Sequence, residues 1–138
     1  MKSKAESFIR TIPTDRKSAQ SVISDALDYF HLLKKKSLIS DDISEFEFRL
    51  LLDEALENAM SHGNLFDPQK LVGIKIRPRK QRIVLTVTDQ GAGFNPEILS
   101  NPREIENFFK LSGRGIHLIQ HLAEVRWNKK GNSLTFTL

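Results

Sequence analysis

Glu54 and Asn58 stand one helical turn apart in "DEALENAMSHG", Asp89 opens "DQGAGF", and a second Gly-x-Gly, Gly113-Arg114-Gly115, follows later in the chain. Asparagine is a poor helix former because its side chain competes for backbone hydrogen bonds. Spaced as they are, Glu54 and Asn58 point the same way, and Leu51, Ala55 and Ala59 put them near the edge of an apolar face. Taken alone, the pair fits an ordinary surface Glu and an Asn bonded to a loop. Beside the glycine segments it gains chemistry. An acid at a strand end accepts a hydrogen bond from an exocyclic amine, and Gly91 and Gly93 let a flat ring lie against the backbone. Gly113 and Gly115 open a helix, whose first N–H groups bind phosphate, with the charge of Arg114 beside them. An Asn carbonyl suits Mg²⁺, a hard ion that completes its shell with phosphate oxygens and water. A Gly-x-Gly by itself usually marks only a turn. Neither a Walker A loop nor a Rossmann G-x-G-x-x-G occurs.

These residues need elements to position them. "SFIRTIP" alternates Phe8 and either Ile9 or Ile12 with polar neighbours and stops at Pro13, which predicts a short strand. A helix starts from Thr14 or Asp15 and carries Ala19, Val22, Ile23, Ala26, Leu27, Phe30 and Leu33 at helical spacing. After "KKKSLIS", Ser40 or Asp41 caps a second helix with Ile43, Phe46, Leu50, Leu51, Ala55, Leu56 and Ala59, ending at Gly63. "LVGIKIR" and "RIVLTVT" read as strands joined by the basic turn "PRKQ". A polar stretch at 95–112 precedes a short helix, "GIHLIQHLAEV", and a closing hairpin, "VRWNKKGNSLTFTL". This order predicts a two-layer α/β sandwich: a mixed, mainly antiparallel sheet with helices on one face.

Composition narrows the class. The 138 residues fit one domain spanning 1–138, with 39% hydrophobic and 28% charged residues as in a globular protein. No apolar run is long enough to cross a membrane, and the N-terminus does not read as a secretory signal. Zero cysteines exclude disulfides, thiol chemistry and Cys-based metal sites. The expectation is an intracellular, cytoplasmic protein.

Glu54-x-x-x-Asn58, Asp89-x-Gly91-x-Gly93 and Gly113-x-Gly115, in that order, resemble the N, G1 and G2 boxes of the GHKL ATPase superfamily. Within it, "LLDEALENAMSHGN" and "SGRGIHLIQHLAEVRW" are similar to the bacterial anti-sigma factor serine/threonine kinases of partner-switching pathways, and the likeness spans nearly the whole chain. The resemblance implies a Bergerat-type ATP-binding fold, ATP and Mg²⁺ as cofactors, and phosphorylation of a serine or threonine on an anti-anti-sigma STAS-domain protein. It implies a sigma factor as second partner and a homodimer as a common arrangement; neither nucleic acid nor membrane is expected as a direct partner, since no nucleic-acid motif and no membrane-spanning run occurs. Carried onto this chain, Glu54 is the general base, with Glu57 as competitor, and Asn58 is the Mg²⁺ ligand. Asp89 holds the adenine amine, Gly91 and Gly93 shape the pocket, and Gly113, Arg114 and Gly115 meet the phosphates. Residues 95–112 form a mobile lid, in which Phe108 and Phe109 pack on the fold or meet a partner. His62, one turn beyond Asn58, touches phosphate or interacts with the helix C-terminus.

Three other readings have weaker support. A sensor histidine kinase needs a phospho-accepting histidine, and the only one in the first helix, His31 in "DYFHLLKKK", lies inside an apolar stripe with no following acid. An ATP-binding regulator that acts by partner binding alone has the same site residues. Nucleic-acid binding would use Arg77, Arg79, Lys80, Arg82, Lys129 and Lys130, at a pI of about 9.5, but no aromatic-interleaved motif accompanies them.

Overall fold

The computed structural model describes residues 7–92, 124–128, 130 and 132–138. The lid at 95–112, the greater part of the helix expected at 115–125, Phe108, Phe109, Gly93, Gly113, Arg114 and Gly115 lie outside the described residues.

Five strands form one sheet in the order β1-β2-β3-β5-β4, with β1 Phe8–Pro13, β2 Leu71–Arg79, β3 Arg82–Thr88, β4 Glu124–Trp127 and β5 Ser133–Thr137. Every strand pair is antiparallel, so the mixed sheet expected from sequence is antiparallel throughout its described part. The expected closing hairpin is β4–β5, and β4 begins one residue before it, at Glu124, a position expected in the preceding helix. The β2–β3 turn is tighter than "PRKQ". Pro78 and Arg79 remain in β2, and only Lys80 and Gln81 turn, both with left-handed φ (49° and 68°), as a two-residue hairpin turn requires. Pro78 lies beyond Ile76, which pairs with Phe8 at the start of β1, and so needs no N–H in the described part of that ladder.

The sheet's two faces differ as its two-residue period dictates. Val72, Ile74 and Ile76 of β2, Ile83, Leu85 and Val87 of β3, and Leu134 and Phe136 of β5 are buried under the helices. The opposite face carries hydroxyl pairs across β3 and β5, Thr86 with Thr135 (3.0 Å) and Thr88 with Ser133 (2.8 Å).

Helix α1, Arg16–Lys35, is capped by Asp15, whose side chain accepts from the Ser18 N–H at 2.7 Å, and ends on Lys34 and Lys35, which suit the negative helix end. Val22, Ile23, Ala26, Phe30 and Leu33 form its buried stripe. His31 falls on the exposed side rather than in that stripe, and its Nε2 meets the Glu45 carboxylate. Helix α2, Glu45–Asn58, starts later than expected. Ser40 organises a turn, its Oγ accepting from the Asp42 N–H and its carbonyl from the Ile43 N–H. Ser44 is the cap, its Oγ accepting from the Glu47 N–H at 3.3 Å. "SEFE" at 44–47 has the Ser-x-x-Glu pattern of a capping box. The shift leaves Phe46 at 73% exposure, outside the apolar face it was assigned to. Phe30 and Phe48 join the helices, stacked with ring centroids 4.8 Å apart. No helix among the described residues is long and apolar enough to cross a membrane.

Candidate functional site

Among the described residues the buried polar side chains are Thr14, Glu54, Asn58 and Asn64. All four lie on α2, at its exit, or against that exit. Burying polar groups is unfavourable unless bonds or a ligand compensate, so their concentration marks this end of the molecule.

Glu54 is 2% and Asn58 7% exposed, on the stretch of α2 that also buries Leu51, Ala55 and Leu56. The Asn58 Nδ2 has no hydrogen-bond partner among the described residues. Glu57 is exposed, and so is His62. Of the two candidate bases, Glu54 alone is buried beside Asn58's helix face.

After Asn58 the helix widens into a π-helical turn, Ala59–Gly63, closed by the Asn64 N–H to the Ala59 carbonyl at 2.8 Å. Such turns recur at functional sites. This one brings Gly63 against the end of β3. A Cβ on Gly63 would stand 2.2 Å from the Asp89 carboxyl, and one on Gly91 would stand 2.0 Å from the Gly63 carbonyl oxygen. Both glycines are therefore required by close approach. The room expected beside Gly91 for a flat ring is taken on its Cβ side by the chain itself.

Asp89 follows β3 directly. Its Oδ1 accepts from the Gly91 N–H at 2.8 Å, a local turn typical of Asp two residues before Gly. Partial burial raises its carboxyl above the ordinary value of 3.8, while the Gly91 N–H and the charges of Lys130 and Lys70 pull the other way. On its β5 side Asn132 takes both backbone groups: the Asp89 N–H donates to the Asn132 carbonyl at 2.9 Å, and the Asn132 Nδ2 donates to the Asp89 carbonyl at 2.8 Å. Asn128 holds Asn132 in turn, its Nδ2 donating to the Asn132 Oδ1 at 2.7 Å.

Asn64, Gly63, Asn132 and Thr14 have structural roles here that the sequence reading missed. "HGN" directly after the Glu/Asn helix offered one signal for Gly63 and Asn64. Thr14 was marked only as a possible helix start, and nothing local marked Asn132.

The fold and this arrangement define an α/β sandwich that presents an acid at a central strand end beside a buried Glu/Asn helix face. The family model of the histidine kinase-like ATPase domain matches residues 13–138, and the chain belongs to that family, an ATP-binding one. Comparison with curated proteins finds no match.

Proposed function

We propose that this protein is an ATP-dependent serine/threonine protein kinase of the anti-sigma type, with an anti-anti-sigma STAS-domain protein as substrate and a sigma factor as second partner. The observation that carries the reading is the buried Glu54 and Asn58 at the end of α2 that also packs against Asp89. A carboxylate and a carboxamide retained on an otherwise apolar face need a functional reason.

Asp89 accepts the exocyclic amine of the adenine. Asn58, buried and with its amide nitrogen uncommitted among the described residues, fits a Mg²⁺ ligand through its carbonyl oxygen. The ion, when bound, neutralises charge on the phosphates. The Glu54 carboxylate takes the proton of the incoming serine or threonine hydroxyl as that oxygen bonds to the γ-phosphorus. The bond from the γ-phosphorus to the β–γ bridging oxygen breaks, and ADP leaves. Phosphoryl transfer asks little covalent chemistry of the protein, so positioning and charge neutralisation carry the rate.

The test is incubation with γ-labelled ATP, Mg²⁺ and STAS-domain proteins of the same genome. Label on a serine or threonine of one of them, lost in Glu54→Ala with ATP binding retained, supports the kinase. Binding of ATP and partner without label transfer supports a regulator that acts by binding alone. Asn58→Ala should weaken only the Mg²⁺-dependent part of nucleotide binding.

A further inference from the structure

We infer that Asn64 is a positioning residue of the nucleotide site, holding the segment Asp89–Gln90 so that the Asp89 carboxylate meets the base. The inference rests on the nucleotide function proposed above.

Asn64 is fully buried, at 0% exposure. Its Oδ1 accepts from the Gln90 N–H at 2.8 Å, and its Nδ2 donates to the Thr14 Oγ1 at 2.9 Å and to the Leu71 carbonyl at 3.0 Å. Both amide hydrogens and the carbonyl are thus in use. Thr14 makes the orientation directional. Its hydroxyl proton is given to the Lys70 carbonyl at 2.7 Å, so its oxygen can only accept from Asn64. Leu71 and Gln90 fall opposite each other just beyond the β2–β3 ladder, and Asn64 spans them, its Nδ2 on the Leu71 carbonyl and its Oδ1 on the Gln90 N–H. Gln90 closes the ring, its Oε1 accepting from the Leu71 N–H at 2.7 Å.

With Asn132 on the other side, the Asp89 N–H, the Asp89 carbonyl and the Gln90 N–H are all held by two asparagines. The backbone of the acid is fixed from β5 and from the exit of α2, which leaves its carboxylate pointing by construction. A hydrogen bond to the amine weakens steeply with distance and angle, so releasing one clamp should reduce base discrimination as well as affinity. Asn64 also connects this loop to the turn that follows Asn58, so one side chain ties the base-reading acid to the Glu54/Asn58 helix.

The experiment measures affinities for Mg·ATP and Mg·inosine triphosphate, which carries a carbonyl where adenine has its amine, by calorimetry. It is run in the parent, Asn64→Ala, Thr14→Val and the core control Ile76→Val. We expect the parent to prefer ATP and Asn64→Ala to lose roughly tenfold in ATP affinity, about one hydrogen bond, with its preference falling toward unity. Ile76→Val should lower the thermal midpoint and keep the preference. Thr14→Val, which removes one anchor of Asn64, should show an intermediate loss and serves if Asn64→Ala does not fold. Amide exchange without nucleotide tests the clamp separately: Gln90 should exchange faster in Asn64→Ala or Thr14→Val, relative to Leu85 in β3. An unchanged ATP preference in both clamp variants, or unchanged Gln90 exchange, overturns the inference. A parent that does not distinguish the nucleotides overturns the proposed function instead, while the exchange arm still decides whether Asn64 holds Gln90.

Discussion

At Asp89 the proposed function opposes stability within one side chain. Partial burial raises its carboxyl above 3.8 despite the Gly91 N–H and two lysines. A raised acid binds its proton more tightly in the folded state. The stability this linkage contributes is therefore complete below the ordinary value and lost as pH rises through the raised one. Above the raised value the carboxylate is ionised and partly desolvated, and in that form both of its oxygens are acceptors. Asp89→Asn keeps an oxygen for the Gly91 N–H and removes the charge. Its thermal midpoint at pH 7 should equal or exceed the parent's, while ATP affinity falls by roughly 10- to 100-fold, the range of a hydrogen bond to a charged group. As pH falls from 7 toward the raised Asp89 value, parent affinity should fall more than that of Asp89→Asn, which shares any titration of the nucleotide itself. Calorimetry across that window checks both; equal pH slopes in the two proteins would count against Asp89 as the base-reading acid.

Helix α2 must begin and end correctly to bring Glu54 and Asn58 to the site. Its start depends on Ser44 rather than Ser40, because the chain spends Asp41 to Ile43 in a turn that Ser40 stabilises. Ser44→Ala should cost about 1 kcal/mol in urea unfolding, the usual worth of an N-cap. Ser40→Ala should stay within about 0.5 kcal/mol. The reverse order would move the cap back to Ser40. At the other end the π-helical turn carries Gly63 onto Asp89, and the chain then leaves through Leu65 and Phe66, both with left-handed φ (52° and 56°). Non-glycine residues adopt that conformation at a cost of about 1–2 kcal/mol each. Asn64, buried and fully bonded directly before them, helps to hold the exit in this shape.

In the whole molecule the candidate site is assembled by the antiparallel order, which puts β3 between β2 and β5. The end of β3 thus meets the start of β2 at Leu71, Asn132 just before β5, and the exit of α2 from the layer above. Segments far apart in the chain converge on Asp89, so a ligand seated there bridges them and should stabilise the fold as a unit. Mg·ATP at about 100 times its Kd should raise stability by about 2.7 kcal/mol by mass action, seen as a higher thermal midpoint. Chelating Mg²⁺ with EDTA should remove part of that gain in the parent and little in Asn58→Ala. No shift with Mg·ATP would argue against a nucleotide site in this chain.

Local patterns in the sequence were enough for the elements whose residues decide their own conformation. β3 follows from the alternation in "RIVLTVT" and α1 from its apolar stripe behind Asp15, because periodicity and capping act over a few residues. The Glu54/Asn58 spacing and Asp89 before Gly91 were legible for the same reason. The start of α2 was not, since Ser40, Asp41 and Ser44 can all cap, and the turn bonds that occupy Ser40 decide among them. That Glu54 is buried and Glu57 exposed is visible only once the helix packs on the sheet. Gly63 reads from sequence as a helix end, and only the approach of Asp89 shows why no side chain fits there. Asn64 and Asn132 look like ordinary polar residues until the sheet order brings Gln90 and Asp89 to them. A side chain that satisfies backbone groups distant in sequence leaves no periodic trace, and its identity is set by the donors and acceptors that folding delivers to it.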